Sequence, residues 1–344
     1  MKNIIKSLVV IISSVSLFSV AYAGELTVTG TAKATYNITS GYSNNDKGIG
    51  IANHLDFTGS GETDFGTFKY SVQQEPGTDG TPSIVDQSLT LTTGMGTFGA
   101  FVSEGGLDLE DGASRSVYAR PTDTGDPSAT VDNPDISSYN NIQYHTAAGM
   151  LPFGIVAKIA YAPNAADTTI ADANSAGATR TRAGTNFGAA TAYQITATPM
   201  DGLSVGANYM NTEEAGLSGT ALIQEQESGA YYVKYDIGSV GLGYSKAYYA
   251  PQTASAQTVE YYDQTNYSIA FNVNENLSVS YEVEKSDRIG ANTTADISED
   301  SDAIQAAYTV GGLTMAVSHA SHDNVGYSTG KNAKNTVFAV TMAF

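Results

Sequence analysis

The sequence predicts an all-β fold: sixteen antiparallel strands closed into a transmembrane β-barrel, with short turns at one end and long loops at the other. Three observations predict it. Period-two alternation of apolar and polar residues recurs along the chain after Gly24, where long helical apolar periodicity is hard to find. Connections alternate between tight turns and long, polar, acidic segments, the layout of a barrel whose two ends face different compartments. Strand charges, Lys246 apart, keep to the polar phase, as expected where the other phase meets lipid and a lysine at the midplane costs about 2–4 kcal/mol.

The elements follow in order. Lys2 and Lys6 form a positive n-region, residues 8–20 an apolar stretch, and Ala21-Tyr22-Ala23 a small-x-small cleavage site. Residues 1–23 therefore read as a signal peptide and residues 24–344 as the exported barrel. The apolar stretch falls short of the about 20 residues that a spanning helix needs. The first strand is residues 26–37, with Leu26, Val28, Gly30, Ala32, Ala34 and Tyr36 on one face and threonines, Lys33 and Asn37 on the other. Seven hairpins follow: 49–59 with 65–74, 87–93 with 97–103, 139–146 with 153–161, 187–198 with 203–210, 229–237 with 240–249, 261–273 with 277–285, and 304–310 with 313–319. Residues 336–344 are the final strand, which ends on Phe344. Gly94-Met95-Gly96, Gly238-Ser239 and Gly311-Gly312 are among the short turns, and residues 59–64 form a longer one.

Lys33, Lys69, Lys158, Lys234, Glu282 and Glu284 fall on the polar phase, so the four lysines are expected on the inner wall of a pore. Lys246 shares phase with Leu242 and Tyr244, and its stem is expected to snorkel to the headgroups. The chain lacks tryptophan, and tyrosines and phenylalanines near strand ends, among them Tyr36, Phe153, Tyr193, Phe271 and Tyr308, take the place of an interfacial belt.

Charge and composition exclude several functions. The whole chain carries 16 basic and 35 acidic residues, for a net charge of −19. Losing Lys2 and Lys6 leaves 14 against 35, about −21. Nucleic acid is no partner for such a chain, because a phosphate backbone needs a basic footprint. Without cysteine it has neither a disulfide framework nor a thiolate metal site.

The first strand, the segment Leu55-Asp56-Phe57-Thr58-Gly59-Ser60-Gly61-Glu62-Thr63-Asp64-Phe65-Gly66 and the terminal Phe344 resemble the general diffusion porins of Gram-negative bacteria, in the alphaproteobacterial style. The resemblance spans residues 24–344 and implies an outer-membrane location, homotrimers and passive diffusion of small hydrophilic solutes. It implies that Phe338, Val340, Met342 and Phe344 carry the signal read by the barrel assembly machinery. It also implies that the longest loop, residues 104–138, folds into the lumen as a constriction. That loop carries Glu104, Asp108, Glu110, Asp111, Asp123, Asp126, Asp132 and Asp135 against Arg115 and Arg120, so a cation preference is expected. The chain departs from many porins in lacking a Pro-Glu-Phe-Gly-Gly segment there and in placing Glu104 where a basic residue is common.

Other motifs carry little chemistry. Gly202-Leu203-Ser204-Val205-Gly206 matches a nucleophile elbow, but it begins a strand instead of joining a strand to a helix, so no enzyme is expected. His319 and His322 fall on opposite faces of a strand. No cofactor is expected beyond weakly bound Ca²⁺ at the acidic segments 108–111 and 296–302, where divalent ions could also bridge to lipopolysaccharide. The expected function is a water-filled channel in outer-membrane lipid. The alternatives are a substrate-specific channel, marked by a ligand ladder, and a non-conducting surface adhesin whose loops matter more than its lumen.

Overall fold

The structure, a computed structural model, describes residues 24–41, 46–76, 82–124, 133–165, 187–214, 224–253 and 258–344. The signal peptide and two of the loop carboxylates, Asp126 and Asp132, lie outside the described residues.

Sixteen strands form one closed antiparallel sheet. They are β1 (Glu25–Gly41), β2 (Asp46–Thr63), β3 (Gly66–Pro76), β4 (Pro82–Thr93), β5 (Gly96–Val102), β6 (Asn141–Thr146), β7 (Val156–Ala162) and β8 (Phe187–Met200). The second half is β9 (Leu203–Glu214), β10 (Gln226–Ile237), β11 (Val240–Ala250), β12 (Val259–Asn272), β13 (Leu277–Gly290), β14 (Ile297–Val310), β15 (Leu313–Asp323) and β16 (Ala333–Ala343). Each strand pairs with its chain neighbours, and β1 pairs with β16 to close the ring. The closure ends on a reciprocal bond: the Gly30 N–H donates to the Phe344 carbonyl at 2.8 Å, and the Phe344 N–H donates to Gly30 at 3.0 Å.

The alternation sorts side chains as its physics requires. Ile159, Val233, Leu242, Tyr281 and Met315 are exposed on the outer face, whereas Gln143, Gln194, Asn266 and Glu282 are buried inside. A small apolar cluster of Leu107, Ile136, Tyr139, Ala160, Ala192 and Met210 packs where the two roots of the long loop meet the wall.

Several expectations change. The first hairpin has no six-residue turn: β2 runs to Thr63 and pairs there with Gly66, because its serine and threonines continue the ladder. Phe153 leaves the strand for a 3-10 turn at φ +58°, so β7 starts at Val156, and Tyr139 is buried in the loop root ahead of β6. Gly30 contributes no open surface to β1, since a Cβ there would meet Leu55 Cδ2 at 3.0 Å and Phe344 Cε2 at 3.1 Å. Lys246 does not rely on snorkelling alone. Its Nζ lies 3.0 Å from Asp263 Oδ2 on the outer face of β12, an ion pair the separate strands did not reveal. The segment 296–302 is mostly strand: Asp300, Asp302 and Glu299 belong to β14, where alternation sends Glu299 to the opposite face from the other two.

Candidate functional site in the lumen

The long loop is a strap laid along the inner wall. Its path is fixed by wall side chains that reach its backbone, each from a polar-phase position. Asn141 Nδ2 donates to the Glu104 carbonyl at 3.2 Å, and Gln143 of β6 donates to Gly105. Gln194 of β8 donates to the Leu107 carbonyl at 3.1 Å, Ser245 of β11 to the Glu110 carbonyl at 2.7 Å, and Ser268 of β12 to the Ala113 carbonyl at 2.7 Å. On β13 the polarity reverses, with carboxylates accepting from the loop. Glu282 Oε2 takes the hydroxyls of Ser114 and Ser116, both at 2.7 Å, and the Ser116 N–H at 3.1 Å. Glu284 Oε2 takes Thr122 through its N–H at 3.0 Å and its hydroxyl at 2.6 Å. The Tyr118 N–H then donates to Gln305 of β14 at 2.9 Å, and Ser318 of β15 bonds Thr124 at 3.4 Å. The returning limb is held by Ser228 of β10, which donates to the Pro134 carbonyl at 2.8 Å. Charge-assisted bonds of the Glu282 and Glu284 kind contribute roughly 1.5–3 kcal/mol each.

The two loop arginines are neutralised in place. Arg120 pairs with Asp111, with Asp123 at 3.0 Å and with Glu284 at 3.4 Å. Arg115 pairs with Asp236 of β10 at 2.8 Å. Asp108 stands beside Asp135, and burial together with that second carboxylate raises its proton affinity. Asp135 itself accepts the Leu107 N–H at 3.0 Å and so ties the two roots of the loop together. Glu110 is buried beneath the strap and accepts the Asn133 N–H at 3.2 Å. Burial, then the charges of Asp108 and Asp111, push it up to about 9. Its surroundings therefore favour the protonated form and a structural role within the loop.

Opposite the strap lies open space. A cavity of about 620 Å³ is bounded by Val117 and Tyr118 of the loop and by wall residues including Thr31, Lys33, His54, Glu75 and Thr341. Lys33 Nζ lies 5.8 Å from the centroid of the Tyr118 ring, which joins the two sides. His54 Nε2 is 3.5 Å from Asp56 Oδ2. Gln73 donates to Asp56 at 2.9 Å, and Gln73 is in register with Asp86 on the next strand. Asp56, Asp86, Glu75 and Glu104 thus form one acidic neighbourhood across β2 to β4 and the loop root.

The other wall lysines are spread around the ring. Lys158 of β7 is in register with His145 of β6, Lys234 of β10 lies 5.7 Å from the Tyr232 ring, and Lys69 of β3 shares the inner phase between outward Phe68 and Tyr70. Only Lys33 borders the open cavity. Asp56, Glu75, Asp86 and the anchoring role of Glu282 and Glu284 were missed. Their polar phase was readable, but their juxtaposition comes from register between strands. Ser204 bonds the Tyr232 hydroxyl at 3.0 Å and sits inside β9. His322 is buried against Ser301 at 2.8 Å, while His319 bonds Thr336 at 2.8 Å. Among the described residues no three His, Cys, Asp or Glu side chains converge to hold a metal.

No protein-family model and no curated protein sequence matches the chain. Solved structures match it nearly end to end. An in-vitro folded trimer form of OmpT, an outer membrane protein of Vibrio cholerae, superposes with a TM-score of 0.66 at 12% identity, over 94% of this chain and 100% of that one. The anion-selective porin from Comamonas acidovorans gives 0.66 at 12% identity over 93% and 100%, and OmpF of Salmonella typhi, in complex with daunomycin, gives 0.63 at 14% over 94% and 98%. The chain has a porin-type fold. At these identities the likeness is one of architecture, and selectivity rests on this chain's own residues.

Proposed function

We propose that the protein lies in the outer membrane of a Gram-negative bacterium as a general diffusion porin, a water-filled and cation-preferring channel for small hydrophilic solutes and ions. The observation that carries this reading is the cavity left open between the strap and β1–β2, lined by polar groups. No bond-breaking chemistry is assigned to it, and the protein is not an enzyme on this reading. Cation preference is carried by the wall carboxylates Asp56, Glu75 and Asp86 with Glu104, since both loop arginines are already paired. Low-dielectric walls focus such a field at a narrow aperture.

The exposed outer phase faces lipid, with the Lys246–Asp263 pair toward the headgroups and lipopolysaccharide. The chain acts as a homotrimer. Ala32 and Ala34 of β1 leave room for a neighbouring copy, and Ile49 and Ile51, 83% and 78% exposed, extend that apolar face upward. Phe338, Val340, Met342 and Phe344, all exposed on β16 or just beyond it, present the strand read by the barrel assembly machinery.

The test is the zero-current potential across a tenfold KCl gradient, for wild type and for Asp56→Asn, Glu75→Gln and Asp86→Asn combined. Wild type should prefer cations, less so as salt rises and the Debye length falls from about 10 Å at 0.1 M to about 3 Å at 1 M. Absence of conductance, or anion preference in the wild type, defeats the reading.

A further inference from the structure

Three inward-facing side chains stand in one row near the loop end of the barrel. Tyr249 of β11 is the register partner of Tyr262 of β12, and Tyr262 is the partner of Arg288 of β13. The two tyrosine rings are nearly parallel, with centroids 5.7 Å apart and planes 12° apart. Tyr327, from the connection between β15 and β16, folds in beside them at φ +52°. Its ring centroid is 5.3 Å from that of Tyr262, its hydroxyl is 2.7 Å from Ser286 Oγ, and the Arg288 guanidinium carbon is 5.5 Å from its ring centroid. Tyr327 is buried, but Tyr249, Tyr262 and Arg288 stay partly open.

Arg288 is held differently from the two loop arginines. Arg115 and Arg120 are held by carboxylates, whereas among the described residues no carboxylate lies within ion-pair distance of Arg288, and its buried Nε has no hydrogen-bond partner. Pinning the connection to the wall does not require the row. Gly326 N–H donates to Glu299 at 3.1 Å and Asn324 Nδ2 to the Ser298 carbonyl at 2.9 Å, and neither bond uses Tyr249 or Arg288. A free guanidinium offers a planar fork that fits a carboxylate, and a stacked pair of tyrosines offers a face for a flat ring.

We propose that this row is a solute subsite at the loop-end mouth, selective for small ring-bearing carboxylates, with the carboxylate on Arg288 and the ring against Tyr262 and Tyr249. The subsite rests on the channel reading for its access. In a lumen dominated by acidic residues it is the place where such an anion is retained instead of repelled.

The probe is benzoate, compared with acetate, which lacks the ring, and benzyl alcohol, which lacks the charge. In planar bilayers benzoate should interrupt the single-channel current at concentrations roughly tenfold below those at which either control does so. Arg288→Gln and Tyr262→Leu should each shift the benzoate response by roughly tenfold or more, and Tyr262→Phe should keep it. Calorimetric titration of the detergent-solubilised protein with benzoate reads the same site without conduction. Equal block by acetate, or benzoate block and heat that survive both Arg288→Gln and Tyr262→Leu, would overturn the subsite. Open channels with neither block nor heat defeat the subsite and leave the channel standing. Benzoate heat lost in the variants without any conductance supports the subsite and defeats the channel. Heat-modifiable mobility confirms a folded barrel, and if Arg288→Gln fails that check, Tyr262→Leu and the acetate comparison decide.

Discussion

A single methyl group at Gly243 should push the lumen loop off its wall. Gly243 lies on the inner face of β11, and a Cβ there would stand 1.8 Å from the Ala113 carbonyl oxygen and 2.4 Å from Ser268 Oγ, the hydroxyl that bonds that same carbonyl. Ordinary contact begins near 3.4 Å, so in Gly243→Ala the strap must retreat by about 1.6 Å. That movement breaks the Ser268 bond and pulls on Ser114 and Ser116, the next residues along, at their bonds to Glu282. Losing the first costs roughly 0.5–1.5 kcal/mol and losing one charge-assisted bond roughly 1.5–3 kcal/mol. At about 1.4 kcal/mol per decade, the docked loop should lose at least tenfold in population. The displaced strap moves toward β1 and β2 and into the open space. Single-channel recording should therefore show lower conductance and added flicker, while heat-modifiable mobility reports an intact barrel. Wild-type conductance and quiet traces from a folded Gly243→Ala channel would refute the claim that strap and wall set the aperture.

Three further outcomes are expected. Glu110 is raised from 4.5 to about 9 where it docks, so docking is strongest below about 4.5 and weakens as pH rises toward 9. Current noise should rise across that window in the wild type and stay flat in Glu110→Gln; a variant with the wild-type pH profile would exclude Glu110 as the source. Phe344→Ala should lower the amount of assembled barrel without changing the conductance of inserted molecules, because it strips the ring that covers Gly30 while keeping the backbone pair; normal outer-membrane levels would count against it. Ala32→Arg places a cation on the outer face of β1 and should shift a trimeric mass in mild detergent to monomer, an effect that a monomeric wild type would make meaningless.

The alternation was enough to read the barrel, because a strand with one face in lipid cannot hide its phase. Ile159 beside Lys158, and Val233 beside Lys234, announce inside and outside at once. Strand ends were harder to read. β1, β2, β13 and β15 run several residues beyond their apolar stretches, since above the lipid either face can be polar and the pattern fades while the ladder continues. The site was only partly legible. That Glu104, Asp108 and Asp111 belong to an acidic loop is visible in the chain. That Glu110 turns into the wall is not, because it depends on where Asn133 returns. The wall cluster of Asp56, Glu75 and Asp86 draws on three strands, and Lys246 meets Asp263 across another pair. Such contacts follow from register, which single-strand patterns leave open.

The strap has a mechanical consequence. A barrel one sheet thick with a hollow centre has no packed interior to resist flattening. Here the loop bonds to β6 and β8 and to every strand from β10 through β15, so it acts as an internal brace for one side of the cylinder. Among the described residues the loop makes no hydrogen bond to β1 through β4, where Lys33 over the Tyr118 ring is the contact, and these strands carry much of the cavity wall together with Asp56, Glu75 and Asp86. Lateral pressure on the cylinder would therefore be taken up unevenly, with the stiff side keeping its curvature and the compliant side changing the width of the passage.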